Sequence, residues 1–188
     1  PNFQIDKSFF NILFVGSLKN IKNPQMLIKA ICLIDKEFLN RNKVKIWVIG
    51  DGPLKKDLLE YLDNMGYMNY FNFMGYISND MMNYIYSNSN LYVICSHYEG
   101  TPISLLQAMY HSMLIIGTNV RGIQNIIRHN ENGLLVDDNS ISQLAGTIRY
   151  AINNNDVTTA LGSKIREDFD NTYSFNRVKE YYLKLLYD

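Results

Sequence analysis

The sequence predicts an α/β fold: a doubly wound parallel sheet of about six strands with helices on both faces. Three observations carry this. Apolar segments and amphipathic segments alternate in order along the chain. The strand candidates are short and largely apolar, as strands covered on both faces are. Several of them run directly into a glycine, at Gly16, Gly50 and Gly75, the punctuation of a strand-to-helix turn.

The 188 residues suffice for one domain with a sizeable core, expected to span the whole chain with residues 1–9 as a lead-in. A 47% hydrophobic content is ordinary for a globular protein. Eighteen basic residues balance eighteen acidic ones, so no charge excess points to nucleic acid or an anionic membrane. Cys32 and Cys95 lie in apolar periodic segments and read as buried free thiols, which fits a cytoplasmic setting. No apolar run is long enough for a transmembrane segment, and no signal peptide is visible. The chain opens on Pro1 without a methionine, and is expected to be a piece of a longer protein.

Phe10–Val15 is the first strand candidate, followed by a glycine loop, 16–23. A helix starts near Pro24, with Met26, Leu27, Ala30, Ile31 and Ile34 on one face. Val44–Ile49 is the second strand, closed by Gly50-Asp51-Gly52-Pro53. In that turn Asp51 is placed to cap the helix expected from Leu54 to Met65. Tyr70–Met74 is a third strand, Asp80–Ser87 a helix, and Leu91–Cys95 a fourth strand. Leu114–Thr118 and Asn132–Val136 complete the sheet. Helices are expected at Ile141–Ile152, capped by Ser140, at Asp156–Phe169, and at Ser174–Tyr187.

The chain is organised around Ser96–Met109. The predicted fourth strand exits into Glu99 and Gly100, and Pro102 suits the first turn of a helix that continues through Ile103, Leu106 and Met109. The N–H groups of Ser104 and Leu105 would then face outward at a positive helix end, a site for an anion such as a diphosphate. Gly100 permits close approach of a ligand, and Glu99 can accept hydrogen bonds from hydroxyl groups. On these residues alone an anion site and a plain strand–turn–helix corner are both open.

Glu99-Gly100-x-Pro102 followed by Leu106-Gln107-Ala108 resembles the Glu-x7-Glu signature of retaining glycosyltransferase family 4, the group 1 glycosyl transferases of GT-B fold. The resemblance implies the C-terminal, Rossmann-like half of such an enzyme, and runs from about Phe10 to the C-terminus. It implies that Glu99 contacts the donor sugar and that Gln107, where the family has glutamate, contacts the nucleotide ribose. The loop Gly16-Ser17-Leu18-x3-Lys22 resembles the family's Gly-Arg-Leu-x3-Lys segment, whose cations hold the donor diphosphate. Lys22 keeps the lysine; Ser17 replaces the arginine. Gly75 falls where the family's backbone borders the nucleotide base. The turn Gly100-Thr101-Pro102 and the amides of Ser104 and Leu105 complete the implied donor site. Arg121 replaces the first glycine of the family's Thr-x-Val-Gly-Gly-Ile-x-Glu loop and is expected to be exposed.

Other chemistries lack their residues. Gly16 stands alone, without the further glycines of a dinucleotide fingerprint, and no Walker-type loop is present. His97, His111 and His129 show no metal-ligand spacing. The resemblance therefore implies glycosyl transfer from a nucleotide-sugar donor with retention, in polysaccharide or glycoconjugate biosynthesis, with no cofactor and no metal. The saccharide or lipid-linked acceptor would come through a missing N-terminal domain, so this chain alone is expected to be inactive, and the full protein is expected to be cytoplasmic or membrane-peripheral. Ser17 and Gln107 keep open a binding module that has lost catalysis, and a nucleotide-sugar epimerase is a further alternative.

Overall fold

The computed structural model describes residues 4–179. Its six strands are β1 (Phe10–Val15), β2 (Val44–Ile49), β3 (Phe71–Gly75), β4 (Leu91–Ile94), β5 (Leu114–Thr118) and β6 (Leu134–Val136). They form one sheet in the order β3-β2-β1-β4-β5-β6, with every pairing parallel. Helices α1 (Pro24–Cys32), α2 (Lys36–Arg41), α3 (Lys55–Met65), α4 (Asn79–Ser87) and α5 (Ile103–Tyr110) lie in the connections, and α6 (Ile141–Asn153) and α7 (Asn155–Thr172) follow β6.

The strand pleat explains why both faces are covered. Along β1, Ile12 and Phe14 pack with Met26, Ile31 and Leu58 on one face, together with Leu144 and Ile148. Leu13, between them, packs on the other with Ile85, Leu105, Met109 and Ile165. In β2, Ile46 and Val48 join the first cluster, and Trp47 and Ile49 the second. Alternate residues thus point to opposite layers, the period-2 rule of a strand. One layer holds α1, α2, α3 and α6 and the other α4 and α5, while α7 contributes Leu161 to the first and Ile165 to the second. With both faces covered, the inner strands read as largely apolar runs, interrupted at Asn11 in β1 and Lys45 in β2.

Several boundaries differ from the sequence reading. The first helix stops at Cys32 instead of including Ile34, because Asp35 caps a separate α2 by accepting from the Phe38 N–H at 2.7 Å. Ser140 precedes α6 without a side-chain capping bond; its carbonyl accepts from the Leu144 N–H. Asp51 does not cap α3 either. Leu54 occupies the N-cap, while Asp51 accepts from the Gly52 N–H at 2.7 Å and pairs with Lys55 at 2.9 Å. Pro102 sits one position before the first turn of α5, as its N-cap. Residues 175–179 are helical, and the rest of the helix expected at Ser174–Tyr187 lies outside the described residues.

Candidate functional site

Strand order reverses between β1 and β4, since β1 continues to β2 and β3 on one side while β4 continues to β5 and β6 on the other. At such a switch point the loops leaving the two strands diverge and open a crevice beyond the carboxyl edge. The loop after β1 carries Gly16, Ser17 and Lys22, and the loop after β4 carries Glu99, Gly100, Thr101 and Pro102.

The β1 loop is held against the β2 turn. The Gly16 N–H donates to the Ile49 carbonyl, the Leu18 N–H to that of Asp51, and the Leu54 N–H to that of Leu18. Gly50 has φ +123°, and a Cβ there would lie 2.1 Å from the Gly16 carbonyl oxygen, so only glycine fits. A short 3-10 turn, Asn20–Lys22, follows and ends on Asn23 in the left-handed region. That turn returns Lys22 toward the strand edge, with its Cγ 3.6 Å from where a Cβ on Gly16 would stand.

Lys22 and Glu99 meet there. Lys22 Nζ lies 2.6 Å from Glu99 Oε1, across 77 residues of sequence. Ser96 Oγ donates to the same carboxylate oxygen at 2.6 Å. Ser96 is itself fixed, because Thr118 Oγ1 donates to its carbonyl at 2.6 Å. Glu99 is 9% exposed and Lys22 30% exposed, so the carboxylate is buried behind an ammonium that remains in water contact. Both contacts fall on Oε1, and Oε2 has no hydrogen bond within the described residues.

Two more loops close on this pair. The His97 N–H donates to the Ile21 carbonyl at 3.0 Å, tying the β4 loop to the β1 loop. The loop after β5 presses on the Glu99–Gly100 backbone. Gly122 has φ +94°, and a Cβ on it would fall 2.1 Å from the Glu99 carbonyl oxygen. Arg121, beside it, is exposed, as expected.

Beside the pair lies a cavity of about 300 Å³. Gly16, Ser17, Gly50 and Gln107 wall it with Tyr76, Ile77, Asn79 and Met82. Gln107 comes from α5, so the β1, β2 and β3 edges and α5 share this space. Tyr76 is 83% exposed at its rim. Gly75, at φ +65°, ends β3 just before Tyr76 and accepts from the Gly50 N–H at 2.8 Å.

The structure thus brings Lys22 to Glu99, and Gly16 and Ser17 to Gln107. Gly100 and Thr101 are exposed, with open space beside Gly100, and Pro102 is buried. One expectation fails at Leu105. Its N–H donates to the Pro102 carbonyl at 3.0 Å, an i→i−3 bond that tightens the first turn, so it is not a free donor. The Ser104 N–H has no backbone acceptor among the described residues, while its hydroxyl accepts from Tyr92 Oη at 2.8 Å and its carbonyl from Tyr86 Oη at 3.2 Å. Ser96 and Gly122 were missed as site residues. Ser96 had no signal but its place three residues before Glu99; Gly122 stood in the family-like loop.

Among the described residues no group of three His, Cys, Asp or Glu side chains is placed to hold a metal ion. Burial raises the thiols of Cys32, to about 11, and of Cys95, to about 12, which keeps both unreactive at neutral pH. No helix among the described residues is long and apolar enough to cross a membrane.

Known proteins share this fold. The solved structures most like it include UDP-bound HepE of Anabaena, with a TM-score of 0.84 at 17% identity over 95% of this chain and 49% of that one. The C-terminal domain of a group 1 glycosyl transferase from Francisella tularensis matches with a TM-score of 0.80 at 23% identity, covering 88% of this chain and 87% of that one. At these identities the likeness shows the fold, that of glycosyltransferase GT-B domains. In sequence, the chain is 27% identical over 176 residues to the GalNAc-alpha-(1->4)-GalNAc-alpha-(1->3)-diNAcBac-PP-undecaprenol alpha-1,4-N-acetyl-D-galactosaminyltransferase of Campylobacter jejuni, covering 93% of this chain and 47% of that protein. It is 26% identical over 185 residues to the poly(ribitol-phosphate) alpha-N-acetylglucosaminyltransferase of Staphylococcus aureus, covering 98% of this chain and 36% of that protein. The chain therefore spans less than half the length of these relatives. Residues 1–168 match the family described as glycosyl transferases group 1, and the chain belongs to that family.

Proposed function

We propose that this chain is the donor-binding C-terminal domain of a glycosyltransferase that moves a sugar from a nucleotide-sugar donor to an acceptor with retention. The observation that carries the reading is the 2.6 Å Lys22–Glu99 contact at the β1/β4 switch point. An ammonium has three N–H donors, so Lys22 can keep Glu99 and still donate to a diphosphate. As the bond from the sugar to the diphosphate breaks, negative charge grows on the leaving phosphate, and Lys22 with the Ser104 N–H at the α5 start offsets it. Lys22 supplies this cation without a metal. Glu99 is already oriented through Oε1, which leaves Oε2 to accept from a sugar hydroxyl. The cavity walled by Ser17 and Gln107 takes the nucleoside, with Gln107 on the ribose.

The acceptor would enter across a cleft from an N-terminal domain, consistent with the chain's share of its relatives' length. Those relatives' names include an undecaprenol-linked glycan and poly(ribitol-phosphate), which favours polysaccharide or glycoconjugate biosynthesis. Calorimetric titration with UDP, GDP and ADP sugars tests the reading. One nucleotide class is expected to bind, and Lys22→Ala to weaken it about ten- to a hundredfold, the value of a charged hydrogen bond. Affinity unmoved by Lys22→Ala and Glu99→Ala would overturn the assignment.

A second reading has its own observation. Ser17 and Gln107, the two departures from the family pattern, line the same cavity. A nucleotide-sugar module without catalysis would show no transfer in the full-length protein even after Gln107→Glu; a working wild type removes that reading.

A further inference from the structure

His97 stands two residues before Glu99, yet the donor-site reading assigns its side chain nothing. Its backbone is fixed by the 3.0 Å bond from its N–H to the Ile21 carbonyl, next to Lys22. Its ring is fixed from the other side. Nδ1 lies 2.9 Å from both carboxylate oxygens of Asp138, a residue of the loop after β6. The loops after β1 and β6 therefore both meet this residue of the β4 loop, one at its backbone and one at its ring.

That contact dictates the chemistry of the other nitrogen. A carboxylate only accepts, so Nδ1 carries the proton and donates to Asp138. In the neutral ring Nε2 then has a free lone pair, an acceptor whose orientation is set by a second residue. Nε2 makes no hydrogen bond within the described residues. The ring is 31% exposed, against 1% for Ser96 and 9% for Glu99 in the same loop. It is more accessible than Ser96 or Glu99, and its orientation is fixed by Asp138.

Resting on the donor-site reading, we propose that His97 is a sugar-contacting residue: its Nε2 accepts a hydrogen bond from a hydroxyl of the donor's sugar, and Asp138 is the positioning residue that fixes its tautomer. Glu99 Oε2 and His97 Nε2 then form a two-acceptor clamp on the hexose, while Lys22 serves the diphosphate. Such a clamp discriminates between sugars by where their hydroxyls stand, because a missing or inverted hydroxyl leaves an acceptor without its donor.

The test compares, for the chain as it stands, affinity for a nucleotide sugar with affinity for the matching nucleoside diphosphate. His97→Ala is expected to weaken the nucleotide sugar about three- to tenfold, the value of one hydrogen bond, and to leave the nucleoside diphosphate unchanged. Asp138→Ala is expected to give part of that loss. Asp138→Asn keeps an acceptor for Nδ1 and recovers most of it. A structural role would move both ligands alike. Equal weakening of both, or of neither, overturns the assignment of His97 while the donor site stands. If wild type binds neither ligand, the donor-site reading falls and this one with it. Thermal midpoints of the variants, expected within a few degrees of wild type, show whether a loss reflects folding.

Discussion

Lys22 and Glu99 set an asymmetry that stability measurements can read. Removing Lys22 strands a carboxylate that is 9% exposed, with only the Ser96 hydroxyl left on it. Removing Glu99 strands an ammonium that is 30% exposed and can turn to water. A buried pair broken from one side costs about 3–5 kcal/mol, and partial exposure lowers this. Lys22→Ala is therefore expected to cost about 2–3 kcal/mol in urea unfolding and Glu99→Ala about 1 kcal/mol. Equal costs would mean that the carboxylate relaxes into solvent. Gly122 and Gly100 make a second contrast. Gly122→Ala meets the Glu99 carbonyl and a positive φ together, and should cost about 2–4 kcal/mol. Gly100→Ala meets nothing within 4 Å and is expected to stay within about 0.5 kcal/mol. At this scale the sequence showed which residue types were present, with Lys22 and Glu99 in family-like positions. It did not show that Ser96 and Gly122 hold the glutamate in place. Those contacts depend on tertiary approach, and a serine or a glycine carries no local mark of it.

Elements were legible where periodicity was strong and boundaries where a cap was local. All six predicted strands lie within two residues of the observed limits, because short, largely apolar runs closed by turn residues have few other readings. Helix α2 was not found. Its six residues are too short for a helical stripe, and only Phe38 and Leu39 turn inward. The signal was Asp35, whose carboxylate accepts from the Phe38 N–H and pairs with Arg149. Asp35→Ala is expected to lower the thermal midpoint and Asp35→Asn to lower it less, since the amide oxygen still caps. Equal lowering by both would show that the Arg149 pair, lost in either variant, outweighs the cap. The start of α5 shows the converse limit. Pro102 correctly marked it, but the Leu105 N–H turned back to the Pro102 carbonyl, a choice between 3-10 and α geometry that residue types do not decide.

For the described residues as a whole, acid stability follows from carboxylates held in their charged form. The Asp51 carboxyl is lowered by its Lys55 hydrogen bond and the Gly52 N–H, Asp35 by the Phe38 N–H and Arg149, and Asp6 by the Ser8 N–H. A carboxyl whose folded pKa is depressed contributes stability above its unfolded value, and that stability is lost as pH falls through the folded one. Denaturant midpoints are thus expected to fall below about pH 4, the ordinary carboxylate range, and less steeply in Asp51→Asn. His111 adds an earlier decline. Burial and Arg166 lower its pKa, so its stability contribution is present above about pH 6.5 and lost as pH falls through the folded value. The doubly wound parallel sheet is readable from the alternation of elements, whereas the strand order with its β1/β4 reversal, and which loops touch across the crevice, are not. The most direct measurement of the central claim is amide chemical-shift mapping of the chain titrated with its nucleotide diphosphate. Shifts confined to residues 16–23, 75–77 and 96–107, along the carboxyl edge, are the expected result; shifts centred on Lys36, Lys43 and Tyr70, in the separate groove near the amino edge, would contradict it.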